Sequence, residues 1–123
     1  MKIRAVRTFC GSRPGATCEY PFGPDVRVYK VRNKLFALMP EAPAWRVSLK
    51  CDPALAEILR REHEGITAGY HLNKAHWNTV LLDGSVPTGL VREMIAHSYD
   101  LVVASLSAAD RRALASGNPS SVA

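Results

Sequence analysis

In the run Tyr70-His71-Leu72-Asn73-Lys74-Ala75-His76-Trp77-Asn78-Thr79, two histidines, two asparagines, a lysine, a tyrosine and a tryptophan fall within ten positions. Turns are ordinarily built from Gly, Asn, Asp, Pro and Ser, chosen for backbone geometry. Aromatic rings and imidazoles in such a place read as a surface that touches something. Three chemistries use these residue types. Lysines and arginines can hold phosphates while Asn and His hydrogen-bond bases or sugars. That reading selects Lys34, Arg46, Lys50 and Lys74 as cations, with His71, Asn73, His76 and Asn78 as polar readers. A metal site would pair His71 with His76 across the turn, with Asp83 or His63 as a third ligand that no spacing fixes. Acid–base catalysis would use His71 or His76 with Lys50 clamping an anion. No glycine-rich phosphate loop, Gly-x-Ser-x-Gly elbow or carboxylate pair supports an enzyme, so no catalytic residue is assigned. The plainer reading makes Asn73 the turn residue, leaves the histidines in solvent and buries Trp77 in the core.

Charge favours the first of these. Over 123 residues the formal net charge is +5, and it is unevenly spread. Residues 1–50 carry ten Lys/Arg against three Asp/Glu, and residues 51–123 carry six against eight. A basic half suits an anionic partner such as nucleic acid, a phosphate metabolite or an acidic protein; solubilising surface charge is the bland alternative. No apolar run approaches the roughly 18–20 residues of a membrane span. The opening Met1-Lys2-Ile3-Arg4 has no apolar signal region. Cys10, Cys18 and Cys51 form no CxxC pair and read as buried, reduced thiols. The expectation is a cytoplasmic protein without membrane partner, cofactor or metal.

The elements that would position these residues follow from periodicity. Ile3, Val6, Phe9 and Cys10 are spaced for a first helix, ended before Pro14. Residues 14–25 read as a stiff loop, with Tyr20 and Phe22 pinning it to the core, a binding lip being the alternative. From Val26 the period is two, and Arg32-Asn33 turns the first hairpin into a strand over residues 34–39. A third strand sets Trp45, Val47 and Leu49 on one face and Arg46, Ser48 and Lys50 on the other. Asp52-Pro53 starts a helix with Leu55, Ile58 and Leu59 as its buried stripe. Strands over residues 66–72 and 76–82 form a second hairpin. Val91, Met94, Ile95, Ser98 and Val102 mark a last long helix. The fold class is α+β, a single antiparallel sheet of about five strands with helices on one face, in the order α-β-β-β-α-β-β-α. Residues 1–106 read as one domain and 107–123 as a frayed tail.

Several blocks resemble the MmcQ/YjbR family: Pro14-Gly15-Ala16-Thr17, Tyr20-Pro21-Phe22-Gly23, Lys34-Leu35-Phe36-Ala37, Leu49-Lys50-Cys51-Asp52-Pro53 and Gly69-Tyr70-His71-Leu72-Asn73-Lys74. His76-Trp77-Asn78-Thr79-Val80, Asp83-Gly84 and Ser98-Tyr99-Asp100-Leu101-Val102 extend the resemblance, which covers about residues 8–106. Residues 69–79 are its most specific block, with Leu72 where the family often has Met. The resemblance implies a small bacterial α+β protein with a fold similar to frataxin and type III secretion chaperones. It also implies DNA binding through a double-wing surface, and it transfers no catalytic residues. The leading expectation is therefore a monomer or weak homodimer that binds DNA or other nucleic acid through basic hairpins. A small-molecule protein with an anionic ligand, or a protein-binding adaptor, is the alternative.

Overall fold

The computed structural model describes residues 1–41, 45–69 and 72–117. Its elements run α1 (Ile3–Gly11), β1 (Ala16–Glu19), β2 (Val26–Val31), β3 (Lys34–Pro40), β4 (Arg46–Lys50), α2 (Pro53–Glu62), β5 (Ile66–Ala68), β6 (Trp77–Leu81), α3 (Thr88–Ala104) and α4 (Ala108–Ala115). The α+β class stands. The strands form one antiparallel sheet in the order β1-β2-β3-β4-β6-β5.

Register decides which face each side chain takes, because directly paired residues point the same way and neighbours alternate. One row crosses all six strands as Cys18, Tyr29, Ala37, Leu49, Asn78 and Ala68. This is the covered face. Val6 and Cys10 of α1, Ala56 and Leu59 of α2, and Val91, Ile95 and Val102 of α3 join it in one buried cluster. Phe36 sits inside that cluster, edge-on to Tyr99 with ring centroids 5.4 Å apart. The alternate row, Glu19, Val28, Leu38, Ser48, Thr79 and Thr67, lies on the opposite face.

Ser98 is where α3 enters the sheet. Its hydroxyl donates to the Phe36 carbonyl and accepts from the Lys50 amide, at 2.6 and 2.9 Å. It thus stitches β3 to β4 just beyond their last paired residues, Ala37 and Leu49. A buried backbone group must find a partner, and here a side chain supplies it.

Five expectations, the burial of Cys18 among them, need correction. The segment read as a stiff loop contains β1, so the sheet has six strands rather than about five. Tyr20 and Phe22 are exposed rather than pinned to the core. In α2, Ala56 and Leu59 are buried while Leu55 and Ile58 face outward, because the helix sits at the β5–β6 edge and covers little of the sheet. The tail expected to fray from residue 107 carries α4, capped by Ser107, whose hydroxyl accepts from the Asp110 amide. Of the three thiols Cys10 and Cys51 are buried and Cys18 is exposed. Burial pushes the Cys10 thiol up to about 12 and that of Cys51 up to about 11, so both behave as small hydrophobes.

Helix α4 is held by the first hairpin. Arg32 and Asn33 both adopt positive φ, 47° and 70°, as a two-residue hairpin turn requires. The Arg32 guanidinium donates twice to one Asp110 carboxylate oxygen, at 2.8 and 3.2 Å. Leu114 packs so closely on Gly15, whose φ is +72°, that a Cβ there would lie 2.6 Å from its methyl group. Hydrogen bonds from Arg32 hold the Asp110 carboxyl below its ordinary range. A carboxyl lowered by folding stabilises above its unfolded pKa of about 3.9, and the gain disappears as pH falls through its folded value. Protection factors of the α4 amides, measured relative to intrinsic exchange at each pH, should therefore fall as pH drops below about 4. Asp110→Asn should remove that acid dependence while leaving exchange in α3 unchanged.

Candidate functional site

Helices α1, α2 and α3 pack on the covered face, and the other face of the sheet, on which Val28 and Thr79 are buried, carries an ordered set of side chains. On β4, Arg46, Ser48 and Lys50 point to this uncovered face and pair with Leu81, Thr79 and Trp77 of β6. The Ser48 and Thr79 hydroxyls lie 2.9 Å apart. On β2, Lys30 shares the face and reaches Glu19 at 3.6 Å. Among the described residues paired in the strands, Lys30, Arg46 and Lys50 stand there with Glu19 as the carboxylate, while Glu57, Glu62, Glu93 and Asp100 belong to α2 and α3.

Trp77 is not in the core. It is half-buried and stands directly opposite Lys50. The parity of β6 explains this: fully buried Val80 shares its side with Asn78, which leaves Trp77, Thr79 and Leu81 on the uncovered side. Gly69 makes room for the tryptophan. Its amide donates to the Trp77 carbonyl, and a Cβ added to Gly69 would lie 2.7 Å from Trp77 Cβ.

Between Phe22 and β2, β3 and β4 lies a hollow of about 400 Å³, walled by Val26, Leu38 and Pro40 with Arg46 and Ser48 as its polar members. Leu72 completes the wall, and Phe22 is 65% exposed. Its described lining is mainly apolar, and among the described residues it contains no titratable pair arranged for proton transfer.

The expected site residues separate. Arg46 and Lys50 lie on the uncovered face. Lys74 and His76 are exposed at the turn leading to Trp77, where the His76 carbonyl accepts from Cys51. Asn73 makes that turn, its side-chain oxygen accepting from the Ala75 amide. His71 lies outside the described residues. Lys34 is drawn away, its ammonium donating to the Ser105 carbonyl at 3.1 Å.

Asn78 is a correction. It is fully buried on the covered face, accepting from Arg60 at 2.9 Å and donating to the Ala56 carbonyl at 3.4 Å. It ties α2 to β6 and has no surface to offer a ligand. The basic first hairpin is likewise engaged internally: Arg27 with Glu41, Lys30 with Glu19, Arg32 with Asp110 and Lys34 with Ser105. The reading of an outward-reaching basic wing did not anticipate the carboxylates that fold onto it. It set aside the binding-lip alternative for Tyr20 and Phe22, two aromatic rings among Pro and Gly, where the Phe22 hollow lies.

Among the described residues no group of three or more His, Cys, Asp or Glu is placed to hold a metal. No helix is long and apolar enough to cross a membrane.

Comparison with known proteins places relatives beside this geometry. A family model described as YjbR matches residues 11–101. "Uncharacterized protein YjbR" of Escherichia coli (strain K12) is 40% identical over 106 residues, covering 84% of this chain and 88% of that protein. The crystal structure of Deinococcus radiodurans protein DR2400, with a domain described as DUF419, superposes with a TM-score of 0.86 at 37% identity, covering 93% of this chain and 88% of that one. A Pseudomonas syringae crystal structure gives 0.70 at 27% identity, covering 82% and 98%.

Proposed function

The chain belongs to the YjbR family, and for this member we propose nucleic-acid binding, with single strands lying on the uncovered face of the sheet. The observation that carries the reading is the Lys50–Trp77 pair on that face, with Arg46 further along the same strand. Single-strand binders combine cations that follow the backbone with aromatic rings on which bases stack. An uncovered antiparallel sheet with rings and cations interleaved serves that purpose. Lys74 and His76 extend the surface at its β6 end. The first hairpin is a poorer grip, because its cations already have partners and each would lose one to meet a phosphate.

Salt-dependent titration of an oligothymidylate of about 12 nucleotides tests this. Binding should weaken linearly on a log–log plot by about 0.7 per phosphate contacted. Lys50→Glu should weaken binding and lower the slope by about that unit, with the fold intact. Lys34→Glu should leave the slope unchanged and lower thermal stability through its lost Ser105 contact. No binding at low salt, or a slope that responds to Lys34 and not to Lys50, would overturn the proposal.

A further inference from the structure

We infer that the hollow beside Phe22 receives one unstacked nucleobase of the bound strand, an inference that rests on the nucleic-acid reading and assigns the base a place. Its volume of about 400 Å³ lies within the range of pockets that enclose small planar ligands. The walls are Val26, Leu38, Pro40 and the exposed ring of Phe22, which offers a π-face to any base.

Two polar side chains supply edge contacts. Ser48 and Thr79 share a single hydrogen bond between their hydroxyls, which leaves Ser48 capacity for a further partner. Arg46 lines the hollow and carries five N–H donors in a fixed fork. A fork of this kind suits the acceptor edge of a base.

The position along the strand agrees with this. At about 3.4 Å per residue, Lys50 stands about 14 Å from Arg46 on the same face, so cations lie at the hollow and beyond it. An apolar peptide side chain could fill the same space. With Lys30 balanced by Glu19, Arg46 and Lys50 leave the face net positive, which favours a polyanion over an ordinary peptide.

The test compares two strands of about 12 nucleotides, one with all bases and one abasic throughout, in fluorescence anisotropy with the full chain. The base-bearing strand should bind more tightly, each stacked base contributing about 5- to 150-fold. Phe22→Ala, at an exposed position that does not threaten the fold, should remove about one base's share of that difference, leave the share due to Trp77, and leave abasic affinity unchanged. Ser48→Val should reduce it partially, showing that the base edge is read as well as its face.

Equal affinity for the two strands, or a Phe22→Ala loss shared equally by both, would overturn the hollow and leave the nucleic-acid reading standing. No binding of either strand, with or without capture of an acidic amphipathic peptide, would overturn both.

Discussion

Phe36→Ala should destabilise the protein by about 3–5 kcal/mol, the range for deleting a buried aromatic ring. Domains are stable by only about 5–15 kcal/mol, so the variant should lie close to its unfolding threshold at ambient temperature. The ring is fully buried, edge-on to Tyr99, with Tyr29 at 6.4 Å on its other side. Its removal leaves a gap where β2, β3 and α3 meet, and none of the three can close it alone. The Ser98 bridge runs through the Phe36 carbonyl, so slack there should also loosen the seam between β3 and β4. Urea unfolding monitored by circular dichroism measures the change. A loss below about 1 kcal/mol would mean that the cluster repacks around the vacancy.

Asn78→Ala should cost about 1–3 kcal/mol, through unpaired buried groups rather than lost apolar area. The Asn78 amide uses its oxygen on Arg60 and its nitrogen on the Ala56 carbonyl. Truncation strips both of a partner, although Arg60 keeps its bond to the Lys74 carbonyl. Since Arg60 closes the end of α2 against the turn before Trp77, the variant should also raise amide exchange in residues 73–76. Oligonucleotide affinity per folded molecule should stay near the parent value. A stable Asn78→Ala protein that has lost binding would return this residue to the interface and contradict its burial.

These two residues show how far the amino-acid pattern could be read. Phe36 lies in an apolar run whose strand was plain from composition, and the long helix that covers it was plain from three- and four-residue spacing. Asn78 and Trp77 are adjacent, and local pattern says only that they point opposite ways. Which of them faces the core depends on where α2 packs, and that is decided by residues about twenty positions away.

What the sequence by itself determined was the α+β class, the presence of α1, α2 and α3, the Asp52 cap of α2, the Arg32-Asn33 hairpin turn, and the basic face of β4. Each rests on interactions between residues close along the chain, whose periodicity and capping chemistry are local. Tertiary structure alone decided the sixth strand, the fate of the hairpin cations, the covered face of Asn78 and the Phe22 hollow. Each depends on partners far apart in sequence, such as Arg32 with Asp110, Lys34 with Ser105, or Phe22 beside Ser48. Lys34 and Lys50 look alike in sequence. They differ only because α3 ends beside the first, whereas the second stands on the face of the sheet that no helix covers.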